Sequence, residues 1–549
     1  NGQATAELTI TKATVGNVLT VKDKTDQNIT GTSNAFNVQN GSLHHFAVNQ
    51  TLANQIAGTS FNLGRIEARD QWENVVQDFT ETVSLSDTTG TIVPSTTAAF
   101  TAGVLVDQSI TITKTAVGNA VTVKSQDYQG VSNIFNINPG ALAAVKITDQ
   151  AGLAGLVVAD RVISTDDNLQ LFSVGFDAYN NYIGEVPVQW STTGDLDPVE
   201  ATVRGNIIYS PQHAPRLGTI TINDQAGHQA ATGQVTVKNG LLASFGFTIP
   251  TEQRVGLPVV ATSTLAALDA KGNVVVDFNA SVDNVTITAS TGGAISGLGA
   301  LGNNIINTAP SFINGLADLQ ALGLIYGGQS GVVTLTALSS SGKGGTSPEL
   351  NFSVGPLHHF EFNLAGVQVN DVAFSGENSI RAVDMGGNAI VDFNASLDPL
   401  TVTVLPNNGV ISGLSGDNLV NKAADFNNGL SSVAAKLKFT GLKGPHTFVV
   451  TSESGKVGTS SQVEILPGAL SYLQIRNAPG GNGGIVGNGS LRSGDALQLY
   501  AAGYDSSNNF IQDQTVAWIG TGVAANFLTP VNGPSTVFNA TVPGSGVIN

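Results

Sequence analysis

The chain has 549 residues, a formal net charge of −17 and no cysteine. A single hydrophobic core stops growing near about 250–300 residues, so several domains are expected. The acidic balance argues against a nucleic-acid partner, because phosphates require clustered Lys and Arg. The absence of cysteine excludes disulfides, thiol catalysis and Cys-ligated zinc.

The composition favours short strands joined by tight turns. The chain contains 64 glycines, and only 11% of its residues are charged. Gly and Asn suit turns, whereas Val and Thr suit a pleated surface. No apolar stretch approaches the about 20 residues of a membrane-spanning helix, so no membrane insertion is expected.

One sequence pattern occurs five times: alternating apolar residues, a glycine, then leucine after one further residue and a second alternating run. It predicts the last strand of one domain, a glycine hinge and the first strand of the next. The copies are NAFNVQNGSLHHFAV from residue 34, NIFNINPGALAAVKI from 133, GQVTVKNGLLASFGF from 233, PELNFSVGPLHHFEF from 348 and SQVEILPGALSYLQI from 461. The hinge glycines are Gly41, Gly140, Gly240, Gly355 and Gly468, at intervals of 99, 100, 115 and 113 residues. These intervals suit seven-stranded β-sandwiches of about 100 residues.

A second pattern occurs once in each repeat: Asp, then Asn four residues later, then a carboxylate eight residues after the Asp. It predicts a hairpin whose central positions adopt the left-handed conformation that Gly and Asn tolerate. The copies are DQWENVVQD from residue 70, DAYNNYIGE from 177, DAKGNVVVD from 269, DMGGNAIVD from 384 and DSSNNFIQD from 505.

The distance from hinge glycine to this Asp takes two values, which predicts two domain subtypes. It is 29 residues in three copies and 37 residues in the copies that begin at Gly140 and Gly468. Both long copies place a tryptophan, Trp190 or Trp518, thirteen residues after the Asp. We expect these two indoles to fill the space between the sheets.

Together the D-x-x-G-N hairpins and the alternating strands resemble the bacterial immunoglobulin-like (Ig-like) domains of invasin-type adhesins and other long surface proteins. The resemblance covers nearly the whole chain and departs from the family pattern at DQWEN, DAYNN and DSSNN, which affects the turn type more than the fold. It implies an all-β tandem array of Ig-like β-sandwiches joined by short Gly hinges, located outside the cell or on its surface.

The expected domains follow the hinge glycines. Residues 1–40 are the C-terminal part of an Ig-like domain, because LTITKATVGNVLTVK from residue 8 matches ITITKTAVGNAVTVK from residue 110. Complete domains are expected at 41–139, 140–239, 240–354 and 355–467, and residues 468–549 form the N-terminal part of another. Two routes to its completion stay open, either further chain or residues 1–40 of a neighbouring copy. The second route predicts a head-to-tail homopolymer.

The paired carboxylates are the strongest chemical candidates. Calcium takes about 6–8 oxygen ligands and could use both carboxylates and the Asn carbonyl oxygen. The weak candidates are Asp269, Asn273, Asp277, Asp384, Asn388 and Asp392. Because three oxygens underfill a calcium shell, solvated carboxylates that shield a hairpin edge are the favoured interpretation, and we assign no metal or other cofactor.

Two further features carry less weight. The pairs His44–His45 and His358–His359 indicate an exposed strand rather than a zinc site, because zinc needs three or four protein ligands and other repeats place Ala143–Ala144 there. Equivalent N-glycosylation sequons begin at Asn279 and Asn394, but a chain this rich in Asn, Ser and Thr contains sequons by chance.

Because the acidic residues that recur do so in every domain, they fit a structural turn better than an active site, and no enzyme is expected. The leading interpretation is an extracellular structural protein that forms a fibre, sheath or surface layer (S-layer). The alternative is the stalk of a cell-surface adhesin whose binding domain lies outside this segment and holds a surface glycan or protein ligand. An accessory region of a secreted enzyme is a third, weaker interpretation.

Overall fold

The computed structural model describes residues 2–200 and 202–549, and it consists of short β-strands and connecting turns. The described residues contain no α-helix and four 3₁₀ turns, at Gly152–Ala154, Ala309–Ser311, Ala423–Asp425 and Gly522–Ala524. No helix among them is long and apolar enough to cross a membrane. The chain divides into two compact units, residues 1–240 and 241–549.

The first unit begins with four strands in two antiparallel pairs. They are β1 (Thr14–Asn17), β2 (Thr20–Lys22), β3 (Thr30–Thr32) and β4 (Phe36–Val38). β1 pairs with β4, and β2 pairs with β3. The counterparts of these strands in the next segment are β12 to β15, whose pair β12 and β15 shows the same register shift.

Segment 41–139 contains eleven strands. They are β5 (His45–Val48), β6 (Gln55–Ile56), β7 (Phe61–Asn62), β8 (Arg65–Arg69), β9 (Ser84–Asp87), β10 (Val104–Val106), β11 (Ser109–Ile110), β12 (Ala116–Asn119), β13 (Val121–Ser125), β14 (Tyr128–Val131) and β15 (Phe135–Asn138). The sheet orders are β10-β8-β5, β11-β7, β12-β15-β6 and β14-β13-β9.

Segment 140–239 also contains eleven strands. They are β16 (Leu142–Thr148), β17 (Arg161–Ser164), β18 (Leu169–Asp177), β19 (Tyr182–Glu185), β20 (Val188–Thr192), β21 (Val203–Arg204), β22 (Asn206–Tyr209), β23 (Arg216–Gly218), β24 (Ile220–Asn223), β25 (Gln229–Ala231) and β26 (Val235–Lys238). β18 pairs with β16, β19 and β22, and the other sheets are β17-β26-β23 and β21-β20-β24-β25.

The second unit begins with segment 240–354, which contains twelve strands. They are β27 (Leu242–Thr248), β28 (Glu252–Arg254), β29 (Thr264–Asp269), β30 (Val285–Ala289), β31 (Ala294–Ser296), β32 (Ile305–Ile306), β33 (Leu316–Asp318), β34 (Ile325–Gly327), β35 (Gly331–Val333), β36 (Leu335–Ser339), β37 (Gly344–Thr346) and β38 (Leu350–Ser353). The sheet orders are β27-β29-β33, β28-β38-β35, β32-β30-β36-β37 and β31-β34.

Segments 355–467 and 468–549 complete the second unit. The first contains β39 (His359–Asn363), β40 (Val367–Val369), β41 (Ser379–Val383), β42 (Leu400–Leu405), β43 (Gly409–Ser412), β44 (Leu419–Val420), β45 (Leu430–Ser432), β46 (Lys438–Gly441), β47 (Gly444–Ser452), β48 (Val457–Thr459) and β49 (Val463–Leu466). The second contains β50 (Tyr472–Arg476), β51 (Ala496–Tyr504), β52 (Phe510–Asp513), β53 (Val516–Ala517), β54 (Leu528–Thr529), β55 (Asn532–Gly533) and β56 (Ser535–Asn539).

The segments share two pairings that place the recurring motifs. In each segment after residue 40, the strand that follows the hinge pairs antiparallel with the strand that precedes or ends at the motif Asp, as β39 does with β41. In the four segments between residues 41 and 467, the last strand pairs parallel with a short early strand, as β49 does with β40. The first strand and the short early strand thus lie in different sheets, as the two sheets of a β-sandwich require.

Each segment after residue 40 has its own hydrophobic core. Alternating strands such as β30 point Val285 and Ile287 inward and leave the intervening threonine half-buried, which is the period-two pattern of a strand with one face on the core. Trp190 and Trp518 lie in the cores of the two long segments, as their spacing predicts. Their indole N–H groups donate to the backbone carbonyls of Arg204 at 2.9 Å and Gly533 at 3.1 Å. The all-β fold class, a tandem array of Ig-like β-sandwiches, is therefore confirmed.

Candidate functional site

In each segment after residue 40, the recurring Asp lies at the end of the strand that pairs with the first strand, and it begins the hairpin turn that follows. In the copy at Asp384, which is fully buried, carboxylate Oδ1 accepts from the backbone N–H groups of Gly386 and Asn388, both at 2.9 Å. The residue three positions after the Asp adopts the left-handed conformation in all five copies, with φ between 63° and 86°. These residues are Glu73, Asn180, Gly272, Gly387 and Asn508. The left-handed turn predicted from the sequence is confirmed, even where Gly is replaced.

The other carboxylate oxygen joins the hairpin to the hinge glycine. Oδ2 of Asp384 accepts from the backbone N–H of Gly355 at 2.8 Å, and the same bond joins Asp70 to Gly41, Asp177 to Gly140 and Asp505 to Gly468 at 2.8–2.9 Å. A Cβ on Gly355 would lie 2.0 Å from the carbonyl oxygen of Val255. Close approach of another backbone therefore requires glycine at this hinge, and the two sequence patterns form one site.

The recurring Asn extends this site to the preceding segment. Nδ2 of Asn181 donates to the carbonyl of Thr113 at 2.7 Å, and its Oδ1 accepts from the backbone N–H of Thr115 at 3.0 Å. The same Nδ2 also donates to Asp177 Oδ2 at 2.8 Å. The amide thus pairs with the preceding segment in the way that one β-strand residue pairs with another. We call this arrangement the Asn clasp.

Three other junctions within the two units contain the same clasp. In each, the two partners are backbone groups two residues apart in the preceding segment, at 2.7–3.0 Å from the amide. The pairs are Thr11 and Ala13 for Asn74, Gly328 and Ser330 for Asn388, and Gly441 and Lys443 for Asn509. The clasp is therefore a repeated junction between consecutive segments.

Side chains beside the clasp add contacts across two junctions. The ring of Tyr179 lies against Gly58, where a Cβ would come within 2.0 Å of the ring. At the last junction, Asn370 Nδ2 donates to Asp505 Oδ2 at 2.8 Å, and Asn370 Oδ1 accepts from the backbone N–H of Gly441 at 2.8 Å. These two junctions therefore have contacts beyond the clasp itself.

Hydrogen bonding lowers the pKa values of three clasp carboxylates, those of Asp70, Asp177 and Asp505. Burial raises the pKa of Asp70, but hydrogen bonds from the Asn74 side chain and from the backbone N–H groups of Gly41, Asn74 and Trp72 more than offset this and lower the pKa to about 2. The balance of the same causes lowers the pKa values of Asp177 and Asp505. Donors aimed at a carboxylate favour its charged form, so the junctions retain these charges at neutral pH.

The weak calcium candidates are divided between buried and exposed places. Asp384 and Asn388 belong to one clasp, whereas Asp392 lies on the exposed turn that follows. In the sister copy, Asn273 Nδ2 donates to Asp269 at 3.1–3.2 Å, and Asp277 is exposed. In the part of the chain that the structure describes, no three His, Cys, Asp or Glu side chains are placed to hold a metal ion. The calcium interpretation uses an Asn amide oxygen in addition to two carboxylates, so it stays a prediction.

The sequon asparagines begin short turns. Oδ1 of Asn279 accepts from the backbone N–H and the hydroxyl of Ser281, at 2.9 and 2.8 Å. Asn394 and Ser396 form the same pair of bonds at the same distances. Each Asn therefore has a local capping role, and glycosylation stays a prediction.

Comparisons with known proteins found distant structural likenesses alone. No family model and no curated protein matches the chain. Among solved structures, the Escherichia coli adhesin FdeC is 16% identical, with 58% of this chain and 100% of that chain covered and a TM-score of 0.32. Drosophila OTK extracellular domains 3–5 are 12% identical (59% and 99% covered, TM-score 0.19), and chicken CNTN1 FN1–FN3 domains are 7% identical (57% and 97% covered, TM-score 0.22). Likeness at this level carries no functional argument.

Proposed function

We propose that the chain is a structural protein of the cell exterior, in which clasped β-sandwiches form part of a fibre, sheath or surface layer. The observation that carries this proposal is the Asn clasp, which occurs with the same geometry at Asn74, Asn181, Asn388 and Asn509. The extracellular location follows the resemblance of the repeats to bacterial surface proteins and belongs to the proposal.

The clasp suits a mechanical role because it uses every hydrogen-bonding group of the amide. In Asn181, one Nδ2 proton goes to Asp177 and the other to Thr113, and Oδ1 accepts from Thr115. The Asp carboxylate connects the same amide to the hinge N–H. A force that separates two segments must therefore break linked bonds together, each contributing about 0.5–1.5 kcal/mol.

The proposal includes head-to-tail association of copies, supported by exposed apolar residues near the N-terminus. Leu19 and Val21 are 37% and 71% exposed, whereas their sequence counterparts in segment 41–139, Val121 and Val123, are fully buried. The N-terminal strands thus present the face that their counterparts bury against the other strands of a sandwich. Burial of such a face stabilises by about 25 cal/mol per Å².

A groove in segment 468–549 offers the complementary surface. It has a volume of about 630 Å³ and is lined by Ile475, Leu497, Leu499 and Phe538. Bonds of Thr521 to residue 547 match those of Thr193 to residue 219, so this segment follows the layout of 140–221. We infer that β2 to β4 of a second copy bind against this groove through their exposed apolar face.

Sedimentation of the full chain, with electron microscopy of native surface material, tests this function. We expect concentration-dependent oligomers that Val21→Asp abolishes, together with fibres or layers in the native material. Val15→Asp is the matched control, because the counterpart Val117 is 93% exposed in segment 41–139. Monomers at every concentration would overturn head-to-tail association, and dispersed single chains on the native surface would overturn the structural role.

A further inference from the structure

Two histidine pairs have the same geometry in two different segments. Nδ1 of His44 lies 3.3 Å from Nδ1 of His45, and the two rings are nearly perpendicular. In the other unit, Nδ1 of His358 lies 3.1 Å from Nδ1 of His359, again with perpendicular rings. The first His of each pair is exposed and the second is half-buried.

These separations match the bite of two imidazoles on one metal ion. Imidazole nitrogen binds zinc at about 2.0–2.1 Å, so two such ligands at tetrahedral or square-planar angles lie about 2.9–3.4 Å apart. Both Nδ1 atoms must then be unprotonated, which places the proton of each ring on Nε2. The two Nδ1 atoms of each pair lie within hydrogen-bond distance, so chelation moves the proton of that bond to Nε2 and turns both Nδ1 lone pairs toward the metal.

A carboxylate supports this tautomer at the first pair. Nε2 of His45 lies 3.4 Å from Oε1 of Glu73, and Arg69 Nη1 holds Oε2 of Glu73 at 2.7 Å. Metal-bound histidines usually donate their second ring N–H to such a partner, which orients the ring and raises its basicity. At the second pair the counterpart of Glu73 is Gly387, so no carboxylate is supplied from that position.

We propose that each histidine pair binds one divalent ion of a late transition metal through its two Nδ1 atoms, with water in the remaining positions, and that the His44–His45 site binds more tightly. Copper(II) binds tightest because affinity for nitrogen ligands peaks there in the divalent series. This inference goes beyond the proposed structural function and does not depend on it. The fold does not require the histidines, because Ala143–Ala144 occupies the same place in segment 140–239.

Calorimetric titration of the full chain with copper(II) tests the proposal. We expect two ions per chain of unequal affinity. The variant His44→Ala/His45→Ala copies the natural Ala143–Ala144 and removes the tighter site, whereas His358→Ala/His359→Ala removes the weaker one. Glu73→Gln weakens the tighter site by about 10–100-fold. Electron paramagnetic resonance of each site shows coupling to two imidazole nitrogens.

Two of the remaining histidines supply the matched control. His213 and His228 each lie against a single Asp, at 2.6 and 2.7 Å, and their replacement by Ala leaves both copper sites intact. Unchanged stoichiometry in the two double-alanine variants would overturn the proposal. Unchanged affinity in Glu73→Gln would overturn the ranking of the two sites.

Discussion

Asp177→Ala removes the acceptor at the centre of the junction between segments 41–139 and 140–239. The Asp177 carboxylate accepts from the backbone N–H groups of Gly140, Tyr179 and Asn181 at 2.8–2.9 Å. It also accepts from the Asn181 side chain. We expect a large loss of stability in segment 140–239, because alanine offers none of these donors an acceptor.

The size of the loss follows from burial. Asp177 and Asn181 are 4% and 7% exposed, and Gly140 is half-buried, so water replaces the lost acceptor at Tyr179 more readily than at the other two N–H groups. A buried donor left without an acceptor costs about 1–3 kcal/mol, so two such donors give a loss of about 2–6 kcal/mol. For a domain of this size the urea midpoint then falls by about 1–3 M.

Fluorescence of Trp190 reports this transition. The chain has three tryptophans, and Trp190 is buried in the core of segment 140–239. A Trp72→Phe/Trp518→Phe background leaves Trp190 as the sole indole, so urea unfolding of the full chain reads the stability of this segment.

Asp224→Ala is the matched control in the same segment. Asp224 accepts from the backbone N–H groups of Ala226 and His228 at 2.9 and 2.8 Å, which is the same turn without a hinge glycine. The carboxylate also contacts His228 Nδ1 at 2.7 Å, but it accepts from no hinge glycine, so we expect this variant to lose less stability than Asp177→Ala. Equal losses in the two variants would refute the argument that the junction, and not the turn, determines the cost.

Three other predictions concern acid, glycine and metal. The pKa of Glu67 is also lowered to about 2, because bonds from Arg69 and Arg65 outweigh the effect of burial. Ionised Glu67 and Asp70 therefore stabilise segment 41–139. This stabilisation is fully present above their unfolded pKa values of about 4, and it is lost as the pH falls toward about 2. Urea titrations should show this decline in segment 41–139, with a shallower one in Asp70→Asn and Glu67→Gln. Gly345→Ala should destabilise segment 240–354 by more than about 2 kcal/mol, because its Cβ would lie 1.9 Å from the Phe245 carbonyl oxygen; a melting temperature equal to that of Ser340→Ala would contradict this. EDTA should leave the melting temperature unchanged, because hydrogen bonds already occupy Asp384, and a fall on chelation would instead support calcium.

The sequence predicts the hairpin and the hinge but not their connection. The spacing of Asp384 and Asn388 indicates a left-handed turn, and the structure contains it. The bond from Gly355 to Asp384 spans 29 residues, and its only trace in the sequence is that the hinge-to-Asp interval takes just two values. Glu73 shows that even a bulky residue adopts the left-handed turn when the surrounding bonds fix it.

The sequence does not identify the partners of the clasp, and the reason is physical. Thr113 and Thr115 contribute backbone groups only, and the corresponding residues at another junction are Gly328 and Ser330. Because any residue supplies a backbone N–H and carbonyl, the partner side leaves no motif. The one available signal is the Asn that recurs in all five copies, although Asp and the left-handed residue suffice for the turn.

Distance measurement between two spin labels tests most directly whether the Asn clasp fixes consecutive segments. The chain has no cysteine, so Ser86→Cys and Gln189→Cys, at exposed strand positions of segments 41–139 and 140–239, carry the labels uniquely. Pulsed dipolar spectroscopy should give one narrow distance distribution, which Asn181→Ala broadens and the exposed Asn223→Ala leaves unchanged. A broad distribution in the unaltered junction, or a narrow one that survives Asn181→Ala, would contradict the account.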